Sequence, residues 1–250
     1  MRMKSPAVDL EALGAPPAEA LNGELLGPLP RGPHGLPRDV VERSQRSRLL
    51  LALIEVVAEK GYVATTVADV IGRAGVSRTT FYQQFKDKED CFLVAYRKGG
   101  EAQLRKVLEA VASSSDPLER LRRNVAAYLA ELVAYPASAR AFLLEVTAAG
   151  PRALRVREEL RARYAELLGQ LYAGFRERRA GLPELPVEVF RAAVAAVDDL
   201  VVRAIGAGKL AELAALEPVA AYLELALFGL VDVAESAGLY PPRRGAGDAA

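Results

Sequence analysis

Apolar residues recur at helical spacing along most of the chain after residue 38. In the first such stretch, Leu50, Leu53, Ile54 and Val57 follow one another at intervals of three or four residues until Gly61 ends the pattern. No alternating pattern of useful length is present, so no β-sheet is expected. The sequence therefore predicts an all-α fold of about nine helices.

Two short helices are predicted after the first long one. Thr66 and Asp69 have the spacing of a capping box, and Gly75 is placed to end that helix in a left-handed conformation. Ser77 then caps the next helix. Two helices joined by so short a turn predict a helix-turn-helix, whose second helix enters the DNA major groove while the first crosses the backbone.

The second of these helices has an unusual outward face. Phe81 and Phe85 lie four residues apart and are expected to point into the core, so the polar side chains between them face outward. A guanidinium pairs with guanine, a primary amide pairs with adenine, and a threonine methyl contacts the thymine methyl. These chemistries are supplied here by Arg78, Gln83, Thr79 and Thr80. Hydroxyl and ammonium groups suited to phosphate are supplied by Tyr82, Thr66 and Lys88.

Breaks in the pattern divide the chain into four predicted parts. Proline and glycine interrupt residues 1–37, which read as a flexible arm, and a short disordered tail is expected at the end. The predicted parts are the arm over 1–37, a helix-turn-helix domain over 38–90, a second helical domain over 91–240, and the tail over 241–250. Gly99 and Gly100 lie in the connecting helix, where they predict a kink, a hinge or a close packing point.

Composition excludes several classes of protein. The 250 residues include 33 Lys and Arg, 32 Asp and Glu, one Cys and one His, so a disulfide framework, a His/Cys metal site and a Cys/His hydrolase are excluded. No cofactor is predicted, and the absence of a long apolar run predicts a cytoplasmic protein with no membrane partner. The net charges of residues 1–37, 38–98 and 99–250 are −1, +3 and −1, which places the positive charge in the helix-turn-helix domain.

Residues 65–90 resemble the DNA-binding signature of the TetR family of transcriptional regulators, with Phe-Tyr-x-x-Phe at residues 81–85 and Lys-x-Lys-Glu at residues 86–89. The resemblance implies a homodimer in which residues 91–240 form a helical ligand-binding and dimerisation domain. This domain binds a small molecule, and the protein then releases DNA. By position in that family, the base contacts fall on Arg78, Thr79, Thr80 and Gln83, and the backbone contacts on Thr66, Tyr82, Gln84 and Lys88. Ser77, as the helix cap, completes the predicted DNA-binding set. The alternatives are that Tyr82 packs on the first helix and that Lys88 is a solvated cap residue.

An effector pocket is predicted from aromatic and polar residues on the later helices. The candidate lining residues are Tyr96, Gln103, Tyr128, Phe142, Tyr164, Leu168 and Tyr172, with plain core packing as the alternative. A mostly apolar wall would favour a hydrophobic effector. An acidic group inside, from Glu145, Asp198 or Asp199, would favour a cationic one.

Self-association is predicted through the last two helices. Apolar stripes suited to a four-helix interface are formed by Phe190, Val194, Val197, Val201, Ala221, Leu225 and Phe228. The alternative is that both helices close the core of their own chain.

The sequence predicts a ligand-responsive transcriptional repressor, not an enzyme, that binds a palindromic DNA operator as a homodimer and is released by a small-molecule effector. An activator or a ligand-independent regulator of the same fold is the alternative. A helical small-molecule-binding protein or enzyme is the weakest alternative, because no phosphate loop, nucleophile elbow or metal-ligand spacing is present.

Overall fold

The computed structural model describes residues 37–239, which are helical with no β-strand. The α-helices are α1 Arg38–Lys60, α2 Val67–Ala74, α3 Arg78–Gln84, α4 Lys88–Ala112, α5 Pro117–Ala134, α6 Pro136–Ala139, α7 Pro151–Arg178, α8 Val187–Gly206, α9 Glu217–Leu227 and α10 Val231–Ser236. A π-helical turn, Arg140–Leu144, continues α6, and a 3₁₀ helix, Leu210–Leu216, leads into α9. The all-α prediction is confirmed.

The described chain has ten α-helices where about nine were predicted. The difference arises after Pro218, where one helix was expected. Gly229 adopts a positive φ of 73° there and separates α9 from α10. Nearly all of the predicted arm and the whole of the predicted tail lie outside the described residues.

The chain divides into two compact units. Within the described residues, the N-terminal unit contains 37–105 and 134–160, and the C-terminal unit contains 106–133 and 161–239. This division differs from the boundary predicted after residue 90, because the first two-thirds of α4 and the α6 region belong to the same unit as the helix-turn-helix. No helix of the described chain is long and apolar enough to cross a membrane.

The core of the N-terminal unit joins the helix-turn-helix to α4 and to the π-helical turn. Phe81 of α3 and Phe85, which directly follows that helix, are buried with Leu53 of α1. A connected set of rings continues the core: Tyr62 meets Phe92 edge-on, and Phe142 stacks on Tyr96 with centroids 4.8 Å apart. Aromatic contacts of this kind add to the burial of apolar area, so α1, α4 and the π-helical turn are held together.

Helix α4 runs without interruption through Gly99 and Gly100. A β-carbon at Gly99 would lie 2.7 Å from Cε2 of Phe142, and one at Gly100 would lie 2.5 Å from Cδ1 of Leu160. Both distances are far below van der Waals contact. The glycine pair is therefore a close packing point, one of the alternatives left open by the sequence.

Candidate functional site

The helix-turn-helix is held by local caps that the sequence predicts correctly. The Thr66 hydroxyl accepts from the Asp69 N–H at 3.2 Å, and Asp69 accepts in return from the Thr66 N–H at 2.8 Å. Gly75 ends α2 with φ 63°, and Ser77 Oγ accepts from the Thr80 N–H at 3.0 Å. Because these bonds satisfy helix-terminal N–H groups, the start of each short helix and the turn between them are fixed.

Helix α3 exposes the polar face predicted for it. Phe81 is fully buried, whereas Arg78, Thr79, Tyr82 and Gln83 are exposed. Tyr82 is 48% exposed and its ring meets Phe81 edge-on, so the phenol lies at the surface rather than in the core.

Arg78 and Tyr82 form a pair on this face. The Arg78 guanidinium lies 5.5 Å from the Tyr82 ring centroid, and its Nη2 donates to the phenol oxygen at 3.4 Å. The two residues are one helical turn apart, so the aromatic ring restricts the positions open to the guanidinium. Thr80 and Ser77 are engaged differently, because their hydroxyls lie 2.9 Å apart in the cap of α3.

Gln84 at the end of α3 is tied to α1. Arg46 Nη1 donates to the Gln84 carbonyl at 2.9 Å and to its Oε1 at 3.2 Å. The same guanidinium lies 4.5 Å from the centroid of the Phe85 ring. Arg46 therefore anchors the last turn of the candidate recognition helix, a role that no sequence pattern reveals because its partners lie 38 residues away.

Lys88 is partly buried, and its ammonium group is hydrogen-bonded within the protein, so it is not a solvated cap residue. Its Nζ donates to the carbonyls of Tyr62 and Thr65 at 2.7 and 2.8 Å and lies 4.2 Å from the Tyr62 ring centroid. Burial lowers the pKa of this ammonium below its usual range. Lys88 thus braces the loop between α1 and α2, and one of its three N–H donors is left for an anion.

Part of the positive charge that the sequence places in the helix-turn-helix domain is neutralised by ion pairs. Arg73 Nη2 pairs with Glu59 at 2.6 Å and its Nη1 with Glu55 at 3.1 Å, contacts that raise the pKa of Arg73 and tie α2 to α1. Of the basic residues in 72–88, Arg78 and Lys86 keep exposed side chains without a carboxylate partner among the described residues.

The π-helical turn positions a residue that the sequence suggested only as a ligand contact. Glu145 follows this turn, and its Oε2 accepts from the Tyr62 N–H at 2.8 Å. No sequence signal marks the pairing, because 83 residues separate the two. Glu145 holds the backbone that leads from α1 to α2.

The seven predicted effector contacts divide between the two units. Tyr96, Gln103 and Phe142 belong to the N-terminal unit, where Tyr96 and Phe142 stack in its core. The C-terminal unit contains Tyr128, Tyr164, Leu168 and Tyr172. Leu168 and Tyr172 are buried, and Tyr172 packs against Phe190 and Phe228.

The acidic groups considered as determinants of a cationic effector are already engaged. Asp198 is buried and accepts from the Tyr128 hydroxyl and from Arg161 Nε, each at 2.8 Å. Asp199 pairs with Arg203 at the surface, and Glu145 is bound to Tyr62. The described chain therefore gives no support to a cationic effector held by these carboxylates.

The predicted dimerisation stripe requires a correction. Six of its members are buried within their own chain: Phe190, Val197, Val201, Ala221, Leu225 and Phe228. Only Val194 is partly exposed. The stripe packs into the core of the C-terminal unit, as the alternative interpretation held, because a helix in a compact unit turns its most apolar face inward.

Two capped helices at a glycine turn, with an exposed polar face on the second, define a DNA-binding protein of the helix-turn-helix class. Residues 49–95 match the family described as bacterial regulatory proteins, tetR family. This match places the helix-turn-helix segment of the chain in that family.

Curated relatives match a part of the chain. Over 93 residues the chain is 33% identical to the HTH-type transcriptional activator FasR of Mycolicibacterium smegmatis, a match that covers 37% of this chain and 41% of that protein. It is 30% identical over 94 residues to the HTH-type transcriptional regulator HbdR of Aromatoleum sp., covering 38% of this chain and 40% of that one. The chain therefore matches less than half of the length of these relatives.

A solved structure resembles a larger part of the fold. The fatty acid degradation regulator FadR of Bacillus halodurans has a TM-score of 0.65 at 24% identity, covering 72% of this chain and 94% of that one. FadR of Bacillus subtilis, solved in complex with stearoyl-CoA, has a TM-score of 0.64 at 22% identity, covering 73% and 97%. These likenesses establish the shared fold.

Proposed function

We propose that the chain is a transcriptional repressor that binds a palindromic operator as a homodimer and is released by a small-molecule effector. The observation that carries the proposal is the exposed set on α3, in which Arg78, Thr79 and Gln83 stand free of the core. Since Phe81 and the caps fix the helix beneath them, these side chains are presented on a rigid element.

The proposed DNA contacts are of two kinds, contacts to bases and contacts to phosphates. Arg78 pairs with guanine, Gln83 with adenine, and Thr79 contacts a thymine methyl. Tyr82 and the remaining donor of Lys88 contact phosphates, which set the register of the helix on the duplex. Thr66, Ser77, Thr80 and Gln84 act mainly by holding the two helices, since their polar groups are engaged in caps or with Arg46.

Dimerisation is proposed through the outward faces of α8 and α9 instead of the buried stripe. Ala192 and Ala195 are exposed on α8, and Val219 and Leu227 are exposed on α9. Small and apolar residues permit close helix packing between two copies. A symmetric dimer then presents two copies of α3 to successive major grooves about 34–36 Å apart, which requires a palindromic operator.

Acyl compounds are the first effector class to screen. The fold is shared with a FadR that was solved with stearoyl-CoA, and the core of the C-terminal unit is largely apolar. A ligand shifts the population of DNA-binding and released forms only by its preference between them, typically about 1–3 kcal/mol. Activation is the second candidate function, because FasR is named as an activator.

The test is selection of bound sequences from a random duplex pool at a stated salt concentration, with wild type and Arg78→Ala in parallel. A palindrome with half-sites about 10–10.5 base pairs apart, and relaxed base preference at one position in Arg78→Ala, is expected. Recovery of no common motif by wild type would contradict operator binding. A reporter placed behind the recovered site then separates repression from activation.

A further inference from the structure

Helix α3 is capped locally at its start but not at its end. Ser77 caps the first turn, whereas Phe85, which follows the last turn, lies in extended backbone with φ −142° and forms no left-handed cap. The helix has only seven residues, and a helix of that length is not stable by itself in water. The carbonyl groups of its last turn therefore need partners from other elements.

Arg46 of α1 supplies such a partner. Its Nη1 donates to the Gln84 carbonyl at 2.9 Å and to Gln84 Oε1 at 3.2 Å, and its guanidinium lies 4.5 Å from the centroid of the Phe85 ring. Phe85 is 2% exposed, so this ring is a fixed part of the core. A cation at the C-terminal end of a helix also interacts favourably with the free carbonyl groups there. One side chain of α1 therefore binds both the backbone and the side chain of the last residue of α3.

The carboxylates next to this contact are used elsewhere. Asp87 accepts from the Asp90 N–H at 2.8 Å, and Asp90 accepts from the Lys86 N–H at 3.0 Å, so both acidic groups cap the start of α4. Within the described part of the chain, neither of them forms an ion pair with Arg46. The guanidinium is therefore bound to the end of α3 and not to a neighbouring acid.

The last turn of α3 contains Gln83, the proposed adenine contact. Gln83 is exposed and directly precedes Gln84, which Arg46 holds. A primary amide pairs with adenine through two hydrogen bonds, and such bonds weaken steeply when their distance or angle departs from the ideal. Moving the last turn by about 1 Å would therefore remove the base contact, while contacts to the DNA backbone stay within reach.

We propose that Arg46 is a positioning residue for operator recognition, which sets the discrimination between the operator and non-specific DNA without touching the DNA. Its bond to the Gln84 amide also holds that side chain toward α1, so Gln84 makes no contact with the operator backbone. The inference rests on the proposed operator binding and adds a residue of α1 on which base recognition by α3 depends. The competing interpretation is that Arg46 itself contacts a phosphate.

The first test measures the affinity of full-length wild type, Arg46→Met and Arg46→Lys for the selected operator and for a scrambled duplex over a range of salt concentrations. Arg46→Met is expected to bind the operator at least about tenfold more weakly than wild type and the scrambled duplex within about twofold of it. The slope of log affinity against log salt on the scrambled duplex is expected to stay unchanged. Arg46→Lys keeps a charged donor and is expected to recover part of the operator affinity.

Two results of this test would overturn the proposal. If Arg46→Met lost affinity equally for both duplexes, with a salt slope smaller by about 0.9, Arg46 would be a direct phosphate contact. If it bound both duplexes as wild type does, the last turn of α3 would not depend on Arg46.

The second test needs no DNA and separates a local effect on α3 from a general loss of stability. The Phe85 N–H donates to the Phe81 carbonyl in α3 at 2.9 Å, and the Val70 N–H donates to the Thr66 carbonyl in α2 at 3.2 Å. In Arg46→Met, hydrogen exchange measured by NMR is expected to be at least about fivefold faster at Phe85, relative to Val70, than in wild type. Equal acceleration at both amides, or no change at either, would contradict a positioning role.

The tests distinguish a failure of this inference from a failure of the proposed function. If wild type selects no operator, the proposed operator binding fails, and hydrogen exchange at Phe85 still decides whether Arg46 holds α3. If wild type binds an operator and Arg46→Met binds it equally well, only the role of Arg46 fails.

Discussion

Glu145 accepts a hydrogen bond from the backbone N–H of Tyr62 at 2.8 Å across 83 residues of sequence. The carbonyl of Tyr62 accepts from Lys88, so both backbone groups of this residue are bound by side chains of other elements. The loop that leads into the helix-turn-helix is thus held from the end of the π-helical turn and from the start of α4.

Replacing Glu145 tests this attachment. Glu145→Ala leaves the buried Tyr62 N–H without a partner and is expected to lower the free energy of unfolding by about 1–3 kcal/mol. Glu145→Gln keeps a carbonyl acceptor at the same position and is expected to cost less. Urea unfolding measures both, and equal losses in the two variants would show that the hydrogen bond is not the cause.

Arg78→Ala is expected to weaken binding to a selected operator by about 1–3 kcal/mol and to relax base preference at one position. The reason is the loss of the exposed guanidinium that Tyr82 holds on the α3 surface. Fluorescence anisotropy with labelled duplex measures the loss. Arg176→Ala, which removes an equal charge from the exposed surface of α7 in the C-terminal unit, is the control and is expected to leave affinity and base preference unchanged.

Three glycine-to-alanine variants separate packing from helix propensity. Gly99→Ala forces a methyl against Phe142, whose ring is held in a stack, and is expected to cost about 1–3 kcal/mol of stability. Gly100→Ala is expected to cost less, because the Leu160 side chain can rotate away.

Gly72→Ala is the matched control for the glycine pair. This position lies inside α2, and a β-carbon there would meet no atom within 4 Å, so alanine is expected to stabilise the protein by about 0.5–1 kcal/mol. Thermal unfolding of all three variants measures the differences. A destabilised Gly72→Ala alongside a neutral Gly99→Ala would contradict the packing explanation.

Stability is expected to fall with rising pH because of Glu224. This carboxyl is 3% exposed in α9, and burial raises its pKa to about 8 from an ordinary 4.5. Between those values the folded chain holds a proton that the unfolded chain releases. The free energy of unfolding therefore declines by up to about 1.4 kcal/mol per pH unit.

The stabilising contribution of Glu224 is complete below pH 4.5 and lost as the pH passes 8. Glu224→Gln is expected to remove this slope, as measured by urea unfolding from pH 5 to pH 9. Parallel curves for wild type and variant would show that Glu224 titrates normally.

Local chemistry explains which parts of the fold could be predicted from the sequence. The caps at Thr66 and Ser77 are bonds between residues three apart, so spacing alone reveals them. The outward face of α3 followed from the inward pair Phe81 and Phe85. These features need no knowledge of the distant chain.

Contacts between residues that are far apart in the chain could not be predicted from the sequence. Periodicity shows that Val201 and Leu225 lie on apolar faces, but it cannot distinguish a partner in the same chain from one in a second copy. Lys88 matched a phosphate-contact position, yet its main partners are two loop carbonyls more than twenty residues away. The engagement of Asp198 by Tyr128 and Arg161 required three helices to be placed together.

The π-helical turn at Arg140–Leu144 places Phe142 and Glu145 against the rest of the N-terminal unit. Their contacts therefore depend on the length of the chain in this turn as well as on the identity of the side chains. Its hydrogen bonds span five residues where an α-helix spans four. Deleting one residue from this turn would change no apolar character, but it would rotate the following residues by about 100° about the helix axis. Glu145 would then swing away from Tyr62 while Phe142 lost its place over Gly99. Insertions and deletions between residues 140 and 144 are therefore expected to break both contacts at once.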